Sequence, residues 1–175
     1  MELSDIAHII SICNAGIAVL VMQIKNMKPL LLGQITINLV GGIAYLMLGE
    51  LSGGSVCLIA IVQCVVMYLY KRKDVKPPLF WILLFVAAFI ACSLIFCQVP
   101  ADLLTGLAAV MFAIAVTREK ASSARIWNAL NPITWMVYDI CVDAYGAIVM
   151  HAVIFLSVSV AIVRHDLLPR IRQKQ

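Results

Sequence analysis

Charge is what this chain has least of. Only 13% of its 175 residues are Asp, Glu, Lys or Arg and 63% are hydrophobic, against about 25% and roughly 45–50% in soluble domains. That deficit excludes an ordinary soluble fold and predicts an integral membrane protein, one domain over 1–175, with almost nothing outside the bilayer. No Lys or Arg precedes Lys25. A secretory signal peptide needs a positive n-region, so the first apolar run is expected to stay in the protein. The six cysteines form no CxxC and no Cys/His cluster with metal-ligand spacing. They read as small buried hydrophobes, the alternative being a disulfide among Cys57, Cys97 and Cys141 near one membrane face. HExxH, GxSxG and Gly-rich phosphate loops are missing, and Ser52-Gly53-Gly54-Ser55 reads as a turn. No enzymatic activity, cofactor or metal is expected. The formal net charge of +4 does not call for nucleic acid either, because the basic residues have a topological explanation.

What is present is seven apolar spans: 5–22, 29–49, 55–70, 79–99, 103–117, 126–142 and 144–163. A spanning helix needs about 20 residues, so the third and fifth read as short. All 13 basic residues fall in alternate connections or at the C-terminal end. They are Lys25 and Lys28; Lys71, Arg72, Lys73 and Lys76; Arg118, Lys120 and Arg125; and Arg164, Arg170, Arg172 and Lys174. The other side carries Glu2, Asp5, Glu50, Asp102 and Asp143. The positive-inside rule then puts the N-terminus outside, the C-terminus in the cytoplasm, and seven helices between them. The loop 118–125 is the one cytoplasmic connection with room to move. The basic tail 165–175 is expected to lie on anionic lipid headgroups.

The chain also matches itself weakly. Asn38 falls on Asn131 and Tyr45 on Tyr138 at an offset of 93. Gly54 meets Gly146, Arg72 meets Arg164 and Asp74 meets Asp166 at an offset of 92. The expected fold is therefore all-α, with two parallel three-helix halves, 1–76 and 100–175, joined by a linker helix at 77–99. Parallel repeats of this kind place a substrate site between the halves near the bilayer midplane.

This 3+1+3 plan resembles the SWEET and PQ-loop transporter superfamily. More narrowly, LMLGELSGGSVCLIAIVQ and TWMVYDICVDAYGAIVMHAVIF resemble YgjV-type bacterial inner-membrane proteins. The Pro-Gln dipeptide that names the PQ-loop group is absent: Pro29 and Gln34 are separated, and the later helix has Asn131-Pro132. The resemblance implies a bacterial inner membrane location and a transporter-like architecture.

Polar groups at membrane depth are costly and usually face a bundle interior or a wet cavity. Gln34, Asn38, Gly42 and Tyr45 share one helical face, and Asn128, Asn131, Trp135, Tyr138 and Asp139 share another. Amides supply donors and acceptors, and aromatic rings supply flat walls. Asn38, Asn131, Trp135, Tyr45, Tyr138 and Gln34 are thus candidate ligands for a small polar solute of the size of a sugar, nucleoside or vitamin. The competing reading makes these amides glue between helices. Pro132 is a candidate hinge because it removes a backbone bond. Asp139 and His151 are a candidate proton-carrying pair. The blander expectation places Asp139 one turn from the helix end, solvated at the headgroups. Asn14 and Gln63 read as packing amides. Expected partners are the lipid bilayer, the solute and anionic headgroups, with a second copy of the chain left open. Two functions compete: a carrier or facilitator, and a non-transporting assembly protein.

Overall fold

Helices account for nearly all of residues 2–169, the part described in the computed structural model. They are α1 (Leu3–Met22), α2 (Met27–Met47), α3 (Leu51–Arg72), α4 (Leu79–Ile95), α5 (Asp102–Thr117), α6 (Ala121–Cys141) and α7 (Tyr145–Ile162), the last continued by a π-helical turn, Val163–Leu167. Arg170, Arg172 and Lys174, and with them most of the expected headgroup-binding tail, lie outside the described residues. By length and composition α1, α2, α3 and α7 with its π turn are apolar and long enough to cross a membrane. α4 and α5, of 17 and 16 residues, are apolar but shorter. A 16-residue helix spans about 24 Å. α3 corrects the sequence reading. It runs 22 residues, because Ser52-Gly53-Gly54 starts the helix instead of forming the turn.

The helices close into a ring. α1, α2, α3, α5, α6 and α7 pack in that order, α7 returns to α1, and α4 lies outside against α3 and α5. Leu, Ile, Val and Phe side chains are exposed along the outer faces, among them Leu20, Leu58, Phe80, Leu83, Ile140 and Leu156. In water such a surface would aggregate; in lipid it costs nothing. The α1–α7 seam is built from small residues. Ala7 and Ala18 of α1 and Ala147 and Ala161 of α7 are buried, and Gly146 lies directly against the His8 backbone. Small residues let backbones approach, which is how helices associate where no hydrophobic drive acts between them. The outlying α4 is tied in by hydroxyls: Thr105 sits 2.9 Å from Ser52 and 3.0 Å from Ser93.

The α2–α3 and α6–α7 turns are built alike. Gly49 (φ 83°) and Asp143 (φ 54°) take the left-handed conformation that ends each helix. Glu50 N donates to Tyr45 O and Ala144 N to Asp139 O, both at 2.9 Å. Leu51 N donates to Gly49 O and Tyr145 N to Asp143 O, both at 3.0 Å. Each pair is separated by 94 positions (49 to 143, 50 to 144, 51 to 145), and α2 and α6 both run 21 residues from starts 94 apart. The sequence matches at 93 and 92 are one and two residues out of step with these turns.

At the opposite end the basic connections meet. Lys28 pairs with Asp74 at 3.2 Å and Lys76 with Glu119 at 2.7 Å, both exposed and worth little. Arg125 is different. Its guanidinium forks onto Asp166 at 2.7 and 2.9 Å, with both side chains largely buried, and a third nitrogen reaches Ile24 O. This corrects the mobile-loop expectation for 118–125: α6 begins at Ala121, and Arg125 bolts it to the end of α7. At the acidic end Asp102 is buried and accepts from Gln98 N and Val99 N, closing the α4–α5 turn. All described cysteines are free; Cys57 is buried, while Cys97 and Cys141 are exposed.

Candidate functional site

α6 carries Asn128, Asn131, Pro132, Trp135, Tyr138 and Asp139 at spacings that hold them to one side of the helix. That side faces the centre of the ring. Asp139 is fully buried, which corrects the expectation of a solvated carboxylate near the headgroups. Both of its oxygens are engaged. Tyr45 of α2 donates its hydroxyl to Oδ1 at 2.5 Å, and His151 Nδ1 of α7 lies 2.7 Å from Oδ2. A buried carboxylate is tolerable only when its lone pairs are satisfied, and here α2 and α7 supply a group each. Three helices are thereby joined at one atom cluster.

Trp135 is sandwiched in the same cluster. Its ring stacks on His151 (centroids 5.6 Å, 11° between planes) and on Tyr45 (5.5 Å, 26°). Tyr138 meets Trp135 edge-on and donates to Glu50 Oε2 at 3.1 Å, in the α2–α3 turn. Burial raises the Glu50 carboxyl above its ordinary range, and the Tyr138 hydroxyl partly opposes that rise. Five aromatic or ionisable side chains from three helices thus form a layer toward the acidic end.

Below this layer lies a cavity of about 60 Å³. It has room for a small cluster of waters. Of the residues singled out in the sequence, the candidate ligands Gln34, Asn38, Tyr45, Asn131 and Trp135 and the candidate proton carrier His151 line it, whereas Tyr138 and Asp139 do not. The cavity is small beside the roughly 300–1,000 Å³ of sites that enclose a drug-sized ligand. Cys57, Asn128, Met150 and the ring of Phe89 also line it, Phe89 reaching in from α4. Lining residues of the two halves correspond at the separation of the turns: Gln34 and Asn128, Gly41 and Trp135, Val56 and Met150, Cys57 and His151, Ala60 and Ile154 are each 94 apart. Among the described residues no three His, Cys, Asp or Glu side chains lie close enough to hold a metal ion.

The candidate amides divide. Asn131 donates to Ala108 O of α5 at 2.6 Å, and Asn38 to Gln34 O within its own helix at 2.8 Å. Asn14, read as packing, does bridge Ile37 O and Met150 Sδ. Gln63, read the same way, is sealed, with no partner on either amide atom among the described residues. Pro132 is buried inside an α6 that continues through it.

A family model described as a bacterial inner membrane protein, Imp-YgjV, matches residues 5–168, nearly the whole chain. The chain belongs to the YgjV family of bacterial inner membrane proteins. The match runs from α1 through the π turn after α7, so every residue of the layer and the cavity lies within family sequence. No curated protein and no solved structure matches the chain.

Proposed function

We propose that this YgjV-family protein is a membrane carrier or facilitator for a small uncharged polar solute, and that the cavity is its binding site. The observation that carries this reading is the amide-lined space at the ring centre, closed toward one end by the Tyr45–Asp139–His151 layer. In the proposed architecture all seven helices span the membrane. Two parallel three-helix repeats in register 94 surround the cavity, and α4 is the linker that lets them run the same way. The matched turns and matched lining residues support this. It is the plan of SWEET and PQ-loop carriers in outline. The Asp139–His151 pair is a candidate site for a coupled proton, since a carboxylate and an imidazole in contact exchange one readily. The basic end is cytoplasmic and the acidic end outside. A second reading, an assembly protein held by polar glue, draws on the bonds that Asn131 and Asn14 make to neighbouring backbones.

Two measurements test this. Purified protein in liposomes should pass at least one of urea, acetamide and glycerol faster than empty liposomes do, read by stopped-flow light scattering. Equal rates for all three would reject the carrier in favour of the glued bundle. For orientation, an impermeant maleimide on intact cells should reach the exposed Cys97 or Cys141. In a background without native cysteines, Lys120→Cys should react only after permeabilisation. Labelling of Lys120→Cys on intact cells would invert the topology.

A further inference from the structure

Of the amides on the cavity wall, Gln34 and Asn128 are the two whose side chains the helices do not use. Each is 5% exposed, and neither side chain has a hydrogen-bond partner among the described residues. Neither is among the sealed polar atoms, so the surface each retains opens on the cavity. Asn38 and Asn131 differ, because their amide nitrogens are committed to backbone oxygens. α2 and α6 stand opposite one another in the ring. Gln34 and Asn128 are 94 positions apart, the spacing of the two turns.

Pro132 sharpens the contrast. It has no N–H for the carbonyl one turn back, which is that of Asn128. The Asn128 carbonyl thus lacks its usual helical donor, beside the free amide of the same residue. In α2 the position 94 earlier than Pro132 is Asn38, whose side chain donates to the Gln34 carbonyl.

We propose that Gln34 and Asn128 are the solute-binding pair, and that their ligand is an uncharged molecule of about four to six heavy atoms bearing both donors and acceptors, of the urea, small-amide or glycerol class. The proposal rests on the carrier reading above. Two primary amides offer two carbonyl acceptors and four N–H donors, which an uncharged solute can satisfy and a hydrocarbon cannot. An ion would find no unpaired opposite charge here, because Asp139 is already held by His151 and Tyr45.

The test uses Gln34→Met and Asn128→Leu, near-isosteric changes, with Asn131→Leu as the contrast. An unpaired buried amide costs stability, so removing it should leave Tm within about 2 °C of wild type or raise it. Asn131→Leu removes the side-chain bond that ties α6 to the Ala108 carbonyl of α5 and should lower Tm by a few degrees. The urea, acetamide or glycerol flux that the wild type supports should fall at least tenfold in Gln34→Met and in Asn128→Leu. Full flux in both stable variants overturns the pair and leaves the carrier standing. A Tm loss in both that matches Asn131→Leu also overturns it, showing structural amides. If either variant fails to insert, Gln34→Ala and Asn128→Ala are read by the same two criteria. A wild type no faster than empty liposomes removes the carrier reading itself, and the pair with it.

Discussion

Asp139→Leu is expected to lower Tm by about 10 °C and to open the layer above the cavity. Removing one member of a buried charged network typically costs 3–5 kcal/mol, because the partners left behind are desolvated and unpaired. In a chain of this size each kcal/mol is worth roughly 2–4 °C. Here the stranded groups are the Tyr45 hydroxyl and the His151 ring, both nearly inaccessible to water. Part of the loss should return in Asp139→Leu/His151→Leu, since an apolar pair leaves less unsatisfied than a lone imidazole. Tyr45→Phe combined with Asp139→Leu should cost less than the sum of the two single changes, the sign of direct coupling. Thermal unfolding of the four variants in one detergent checks this. A Tm for Asp139→Leu within 2 °C of wild type would mean that the three helices are not held together at this carboxylate.

Gly146→Ala should be the most damaging single methyl in the protein. A Cβ there would lie 2.6 Å from His8 O, 2.7 Å from His8 Cα and 3.0 Å from His8 C. These are backbone atoms of α1, so no rotamer change relieves the overlap, and α1 and α7 must move apart. The alanine seam around it would loosen, and the Gly146 N–H bond to His8 Nδ1 would stretch from 3.3 Å. Overpacking of a close-packed interface typically costs 1–3 kcal/mol, with more at rigid contacts. Gly16→Ala is the matched control. It sits in a helix with nothing within 4 Å of its would-be Cβ, and it should gain up to about 1 kcal/mol from helix propensity. Yield of folded protein and Tm for the two alanines should differ in opposite directions from wild type. Equal behaviour would show that α1 and α7 are not in contact at His8.

Much of the helix plan was legible because lipid imposes a simple rule. Apolar runs must be helices, and the thirteen basic residues mark the ends where the chain turns. The stripe on α6 was legible for the same reason, since Asn131, Trp135 and Asp139 stand out against Ile, Met and Val. What the stripe could not show is which polar group faces a neighbour's backbone and which faces a cavity. Asn131 and Asn128 lie on the same side of one helix, yet only Asn131 meets the Ala108 carbonyl. The burial of Asp139 depended on its being met by Tyr45 from α2 and His151 from α7, contacts that periodicity within α6 does not contain. Phe89 was invisible because α4 (LFWILLFVAAFIACSLI) is apolar on every face, so no pattern marks the side that enters the ring. The sequence matches follow identities such as Asn38 with Asn131, at 93, whereas the turns correspond at 94 and set unlike residues such as Cys57 and His151 against each other.

The stack on His151 leaves the Trp135 indole in a privileged position. Trp135 lies nearly flat on His151, while Trp81 packs against Phe80 and Phe85 of α4 and Trp127 lies under Arg118. A charged imidazolium withdraws electron density from an excited indole far more than a neutral ring does. With Trp81 and Trp127 replaced by Phe, the intrinsic emission of the protein becomes a gauge of charge at the heart of the ring. It can be read in a vesicle, without a dye, at any pH and on either side of the bilayer.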